Sequence, residues 1–140
     1  MKRAYIVYNV KAKGKGRPRF TSRGKYVRTY TPKETIDYCN MIRDTFINDI
    51  GLEFKDYEGA VRCTIHLFFA PAKSISEKKK KELIGKPFLK KPDNDNSEKS
   101  IWDALNGVAY VDDCQIYDNR TIKRYNEQDF IVLELIYEDI

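Results

Sequence analysis

Asp93, Asp95, Lys99, Asp112 and Asp113 place four carboxylates and one ammonium within twenty-one residues. Carboxylates this dense repel one another and resist desolvation unless something compensates them. A hard divalent cation does so. Mg²⁺ or Mn²⁺ takes oxygen ligands, and a few aspartates with water and a substrate phosphate complete its octahedron. If residues 92 to 95 are extended, Asp93 and Asp95 project to one face, because strand side chains alternate. Asp95 and Lys99, four apart at the start of a helix, again share one side. This is the pattern of a magnesium-dependent phosphoryl-transfer site.

Plainer readings compete with it. Asp95-Asn96-Ser97-Glu98 fits a helix N-cap with a reciprocal glutamate three residues on, a structural role that does not exclude metal binding. A calcium EF-hand is the next rival, with Asp93, Asp95 and Ser97 at its first, third and fifth positions. It fails, because Glu98 stands where glycine is needed and Ala104 where the bidentate glutamate belongs. Asp112-Asp113 alone would read as turn residues. The two clusters together favour ligation.

Lys91-Pro-Asp-Asn-Asp-Asn96, Lys99, Asp103-Ala-Leu-Asn-Gly107 and Asp112-Asp-Cys-Gln-Ile116 resemble the signature of the RusA family of Holliday junction resolvases. More loosely, Arg17-Pro-Arg-Phe-Thr21 and Tyr30-Thr-Pro-Lys33 resemble the amino-terminal part of many phage and prophage members. The resemblance implies a small homodimeric endonuclease that cuts two strands symmetrically at a four-way DNA junction, using Mg²⁺ or Mn²⁺. It places the catalytic acids on Asp93, Asp95 and Asp113 and the catalytic lysine on Lys99. Asp112 matches the first acid of the family's Asp-Asp pair and joins the other three as a metal ligand. Recombination and repair of DNA are the processes such an enzyme serves.

The expected chemistry is hydrolysis of a DNA phosphodiester. The aspartates would hold one or two Mg²⁺ ions, and Lys99 would neutralise charge building on the transition state or its leaving oxygen. Residues 11 to 30 carry eight Lys or Arg, no acid and three glycines, with Phe20, Tyr26 and Tyr30 interleaved. A merely solvated loop would be expected to include acids, so a phosphate-tracking arm is favoured, mobile without DNA. Lys13, Lys15, Arg17, Arg19, Arg23 and Lys25 would contact phosphates, joined by Lys90 and Lys91 beside the acidic motif. Two alternatives stay open: a related metal-dependent nuclease acting on flaps or forks, and a nucleic-acid-binding protein whose acids only organise a loop.

Composition sets the outer bounds. One hundred and forty residues suit one domain, here 1–140, with 41% hydrophobic and 34% charged residues marking it as globular. The formal charge of +5 leans toward a polyanionic partner. Cys39, Cys63 and Cys114 lack metal-type spacing, so reduced thiols in a cytoplasmic protein are the simple expectation. Neither a cleavable signal nor an apolar run long enough for a membrane span is apparent. Gly14-Lys-Gly16 is no dinucleotide fingerprint, since Arg19 replaces the third glycine, and no organic cofactor is expected. His66, the one histidine, lies in a strand-like run and gives little support to Ser-His or Cys-His chemistry.

The elements that must position these residues follow from periodicity. Residues 3–10 read as a strand, and 19–27 as a hairpin turning at Arg23-Gly24. Pro32 to Ile50 reads as a helix capped by Thr31, with Ile36, Cys39, Ile42, Phe46, Ile47 and Ile50 as its apolar stripe. Ala60 to Ala70 reads as a central strand, and Ser76 to Gly85 as a short capped helix. A motif helix from about Asn96 to Asn106 ends at Gly107, with Ile101 and Leu105 facing the core. Asp103 on it would position Lys99 rather than bind metal, offsetting its unfavourable place near a helix carboxyl end. Val108 to Asp113 would deliver Asp113 beside the helix start. Ile116–Tyr125 and Asp129–Tyr137 would close the chain as an antiparallel hairpin, the last strand buried on both faces. The fold class is therefore α+β, one mixed-sheet domain of about five strands and three helices.

Overall fold

The computed structural model of the chain describes the backbone of residues 1–15, 19–23 and 26–139, and the side chains of residues 1–15 and 30–139. The order of elements is β1 (Lys2–Tyr8), β2 (Arg19–Arg23), β3 (Tyr26–Tyr30), α1 (Lys33–Asp49), β4 (Ala60–Phe69), α2 (Glu77–Leu83), α3 (Asn94–Leu105), β5 (Ile116–Tyr125) and β6 (Phe130–Glu138). A single 3₁₀ turn, Asp113–Gln115, separates α3 from β5. Four strands form a mixed sheet in the order β1-β6-β4-β5, and β2 pairs with β3 as a separate two-stranded ribbon. The class is α+β as expected, with six strands among the described residues rather than about five.

Alternation builds the core. Ala4, Ile6 and Tyr8 of β1, Val61 to Phe69 at every second position of β4, and Ile131, Leu133, Leu135 and Tyr137 of β6 all bury the same face. That face is covered by Tyr38, Ile42 and Phe46 of α1 and by Ile101, Ala104 and Leu105 of α3. Spacing of four along α1 selects Tyr38-Ile42-Phe46, so the stripe is rotated from the expected one and Ile36 is exposed. No Thr31 side chain caps α1; Pro32 occupies the cap position without a side-chain bond. Strand β6 alternates buried and half-buried residues instead of being buried on both faces.

The closing hairpin is the larger correction. Strands β5 and β6 do not pair; β4 lies between them, parallel to β5 and antiparallel to β6. The loop after β5 crosses the end of β4, where the Asn126 amide donates to the Phe69 carbonyl and the Ala70 amide to the Asp129 carboxylate, at 2.9 and 2.8 Å. Skipping one strand requires a span of only roughly 10 Å, which this loop provides. Charge decides which strand is central. β5 carries Asp118, Arg120, Lys123 and Arg124 and suits an edge, whereas the apolar alternation of β6 suits the interior.

A parallel β4–β5 pair requires a crossover, and that crossover contains α2 and α3. The motif helix is thus held on the sheet while its polar side faces out. No helix among the described residues is long and apolar enough to cross a membrane.

Candidate active site

Helix α3 begins two residues earlier than its composition suggests. Asp93 takes the N-cap position with extended backbone, and Asp95 falls inside the first helical turn. The expected extended Asp93–Asp95 stretch and the capping box on Asp95 are therefore absent. Ser97 closes the first turn instead, its hydroxyl donating to the Asp93 carbonyl at 2.9 Å. Glu98 accepts from the Asn119 amide at 2.8 Å, tying α3 to β5. Asp93 and Asp95 are left exposed, with no ion pair among the described residues. The positive end of the helix dipole favours anions there, whether carboxylates or a phosphate.

The loop before α3 is clamped from the sheet. Lys123 on β5 donates to the Lys90 carbonyl at 2.7 Å and to the Pro92 carbonyl at 2.8 Å, and its ammonium lies 5.6 Å from the Phe88 ring centre. Lys123 fixes the backbone immediately ahead of Asp93. Nothing in its neighbourhood, Ile122-Lys123-Arg124, signals that task.

At its other end α3 stops on Asn106 and Gly107, the latter at φ 75°, a left-handed conformation that suits glycine. Arg43 of α1 donates to the Ala104 and Asn106 carbonyls, capping the end with positive charge. Residues 108–111 form a turn with Val108, Ala109 and Tyr110 buried. The following turn carries a capping box. Asp112 accepts from the Cys114 amide, Gln115 accepts from the Asp112 amide, and the Gln115 side chain also donates to the Tyr57 and Gly59 carbonyls.

That turn delivers Asp113 to the helix. Its amide donates to the Asn106 side chain at 2.9 Å, and its carboxylate meets the Lys99 ammonium at 3.0 Å. Asp113 therefore docks at the middle and carboxyl end of α3, not beside its start. Lys99 also pairs with Asp103 at 3.0 Å, and the other Asp103 oxygen meets Lys15 at 2.7 Å. Hydrogen bonds to Asp103 and Asp113 push the Lys99 ammonium above its ordinary pKa, keeping it charged. Partial burial works against the Asp103 carboxylate, but its lysine partners win and hold it below the usual range.

The predicted residues thus divide. Lys99 and Asp113 come together, and Asp103 pairs with Lys99 as expected. No three His, Cys, Asp or Glu side chains among the described residues stand close enough to share one ion, so Asp93, Asp95, Asp112 and Asp113 are not gathered as a cage. Mg²⁺ needs no such cage; one or two carboxylates plus substrate phosphate are its common protein environment. In kind, the oxygen donors fit.

Of the predicted DNA contacts, Lys13, Lys90 and Lys91 are exposed and Lys15 is half-exposed but paired with Asp103. The side chains of Arg17, Arg19, Arg23 and Lys25, and the turn at Gly24, lie outside the described residues. The described backbone of β2 and β3 does form the expected antiparallel ribbon, with Arg23 opposite Tyr26. A cavity of about 340 Å³ lined by Met1, Lys2, Glu53, Phe54, Tyr57, Tyr137 and Asp139 contains none of these residues. The acidic and basic groups lie instead on an open surface, suited to a polymer.

Residues 9–135 match the family model for endodeoxyribonuclease RusA. The chain belongs to the RusA family. The match takes in every candidate site residue from Lys13 to Asp113. The chain is also 40% identical over 74 residues to YqaN of Bacillus subtilis (strain 168), an uncharacterized protein; the match covers 50% of this chain and 52% of YqaN. The chain thus spans about half the length of that curated relative.

Proposed function

We propose that this RusA-family chain is an endodeoxyribonuclease that cuts four-way DNA junctions on paired strands, as a homodimer and with Mg²⁺ or Mn²⁺. One observation carries the reading. Lys99 and Asp113, fourteen residues apart, meet at 3.0 Å against the helix whose amino end presents Asp93 and Asp95 exposed and, among the described residues, unpaired. Asp93 and Asp95 would hold the cation, with Asp112 and Asp113 as the further acids. When bound, the ion would supply Lewis-acid polarisation of the scissile phosphate and a more acidic water.

The chain's own residues do the rest. The amino end of α3 attracts the phosphate, and the clamped Lys90–Pro92 segment keeps Asp93 in place. Lys99, held charged between two carboxylates, neutralises negative charge on the transition state or leaving oxygen without giving up its proton. Exposed Lys13, Lys90 and Lys91 contact the backbone and set position rather than sequence. Two copies about a two-fold axis would address two strands of matching symmetry.

The test is a labelled four-way junction, flap, fork and linear duplex, each incubated with purified chain in Mg²⁺, Mn²⁺ or EDTA. Paired symmetric cuts in the junction that need the cation and are lost in Asp95→Asn are the expected result. Absence of cleavage in every substrate, or full cleavage by Asp95→Asn, removes the nuclease reading. Equal cutting of flap or fork removes only the junction preference.

A further inference from the structure

Lys15 stands within the basic arm, and its sequence context makes it one more phosphate contact. Its surroundings do not. The Lys15 amide donates to the Asn96 carbonyl of α3 at 3.1 Å, and its ammonium meets Asp103 at 2.7 Å. The residues leading to it are seated as well. Ala12 is buried, the Lys13 amide reaches the Tyr38 hydroxyl at 3.4 Å, and a Cβ on Gly14 would sit 3.4 Å from both Pro92 and Asn96. Residues 12–15, the arm's first part, are thus docked along α1 and α3.

Asp103 is an unusual partner. It lies in the last turn of α3, where an acid opposes the helix dipole, and it follows Lys99 by four, the weaker order for such a pair. A second cation offsets both penalties. One carboxylate then joins two lysines, and a chain of charges runs Lys15–Asp103–Lys99–Asp113 with alternating sign.

We propose that Lys15 is a positioning residue: it holds Asp103 in the rotamer that aims Lys99, coupling the seating of the basic arm to the active site. This rests on the nuclease reading above for the role of Lys99, while the Lys15–Asp103–Lys99 contact stands on geometry. Arm engagement by DNA would thereby be felt at Lys99, whereas the Lys13 ammonium, 6.0 Å from the Tyr38 ring centre and in no ion pair among the described residues, is left to meet phosphate. A surface ion pair adds little stability, so its worth is in direction.

The experiment compares Lys15→Met, Lys15→Arg, Lys13→Met, Asp103→Asn and the Lys15→Met/Asp103→Asn double variant. Three quantities are read: kcat on saturating junction, salt-titrated junction binding without metal, and the rate of Lys99 acetylation by an amine reagent, followed by mass spectrometry. Lys15→Met is expected to lower kcat on the order of 10-fold, since small misplacements of a catalytic group are costly. Binding and its salt slope should hold, and Lys99 should be acetylated faster. The double variant should be no worse than Asp103→Asn, and Lys15→Arg should restore the wild-type values. Lys13→Met should instead weaken binding and reduce the salt slope by about one. An unchanged Lys99 acetylation rate in Lys15→Met overturns the proposal, whatever happens to binding. Should the wild type cut no DNA, the nuclease reading falls while the acetylation measurement still decides the role of Lys15. If Asp103→Asn does not fold, the Lys15→Met and Lys15→Arg pair decides alone.

Discussion

The two ends of helix α3 carry acids of opposite character. At the amino end Asp93 and Asp95 are exposed, favoured by the helix dipole, and unpaired among the described residues. At the carboxyl end Asp103 and Asp113 oppose that dipole, and Lys15 and Lys99 answer them charge for charge. The first pair is open to a ligand from outside; the second is already satisfied from within. One helix therefore separates exposed acids that the proposed cation could reach directly from acids already engaged with a lysine.

The sharpest way to break this comparison is Asp93→Asn and Asp95→Asn. Each should lower junction cleavage by at least about 10²- to 10³-fold, the range for loss of one electrostatic stabiliser. Stability should barely move, because the Asp93 side chain makes no cap bond and a first-turn acid contributes only about 0.3–1 kcal/mol. Thermal unfolding beside the cleavage assay checks both. A variant that unfolds early and loses activity in proportion would show that the amino-end acids are structural.

Lys99→Met tests the other end. A loss on the order of 10²- to 10³-fold in rate is expected from removal of a transition-state cation. Unlike the amino-end variants, it should also destabilise, by about 1 kcal/mol, because the Asp113 side chain is only 14% exposed and loses its partner. Lys99→Met/Asp113→Asn should recover the stability and none of the activity. If urea melts show no loss in the single variant, the carboxyl end is not self-compensated as described.

These contrasts mark what could be read from the chain. The dense acids, Lys99 and the terminating Gly107 are local signals, and spacing of four correctly joined Asp103 to Lys99. Distant partners leave no such trace. Lys15 is one basic residue among eight in its segment, and nothing adjacent to it says that Asp103 will claim it. Asp93 and Asp95 are equally good cap residues by type, so composition does not choose between them; Ser97 settles the choice by bonding the Asp93 carbonyl. The pairing of the closing strands is not legible, because a short loop between two strands looks the same whether it joins neighbours or steps over β4.

Lys123 sharpens the comparison on the amino side. Among the described residues its ammonium pairs with no acid; it donates to the Lys90 and Pro92 carbonyls and lies over the Phe88 ring. Lys123→Met should cost about 1 kcal/mol for the lost bonds and lower cleavage on the order of 10-fold by loosening Asp93. The loss should lessen as Mg²⁺ is raised, since a displaced ligand weakens cation affinity before it removes it. Metal titration of the cleavage rate checks this; a defect indifferent to Mg²⁺ would mean that the clamp serves something other than Asp93.

The smallest effect is a pH dependence at the carboxyl end. Partial burial of Asp103 raises its pKa, but hydrogen bonds from Lys15 and Lys99 lower it further, so the folded value lies below the unfolded one of about 3.9. A depressed carboxylate contributes stability that is present above the unfolded pKa and is lost as pH falls through the folded one. Wild type should therefore exceed Asp103→Asn in stability at pH 6 by less than about 1 kcal/mol, as exposed pairs do. The advantage should shrink below about pH 4 as both forms become neutral at this position. Paired acid-unfolding curves decide it, and a gap between wild type and Asp103→Asn that persists unchanged through that range would mean the lysines do not hold the carboxylate charged.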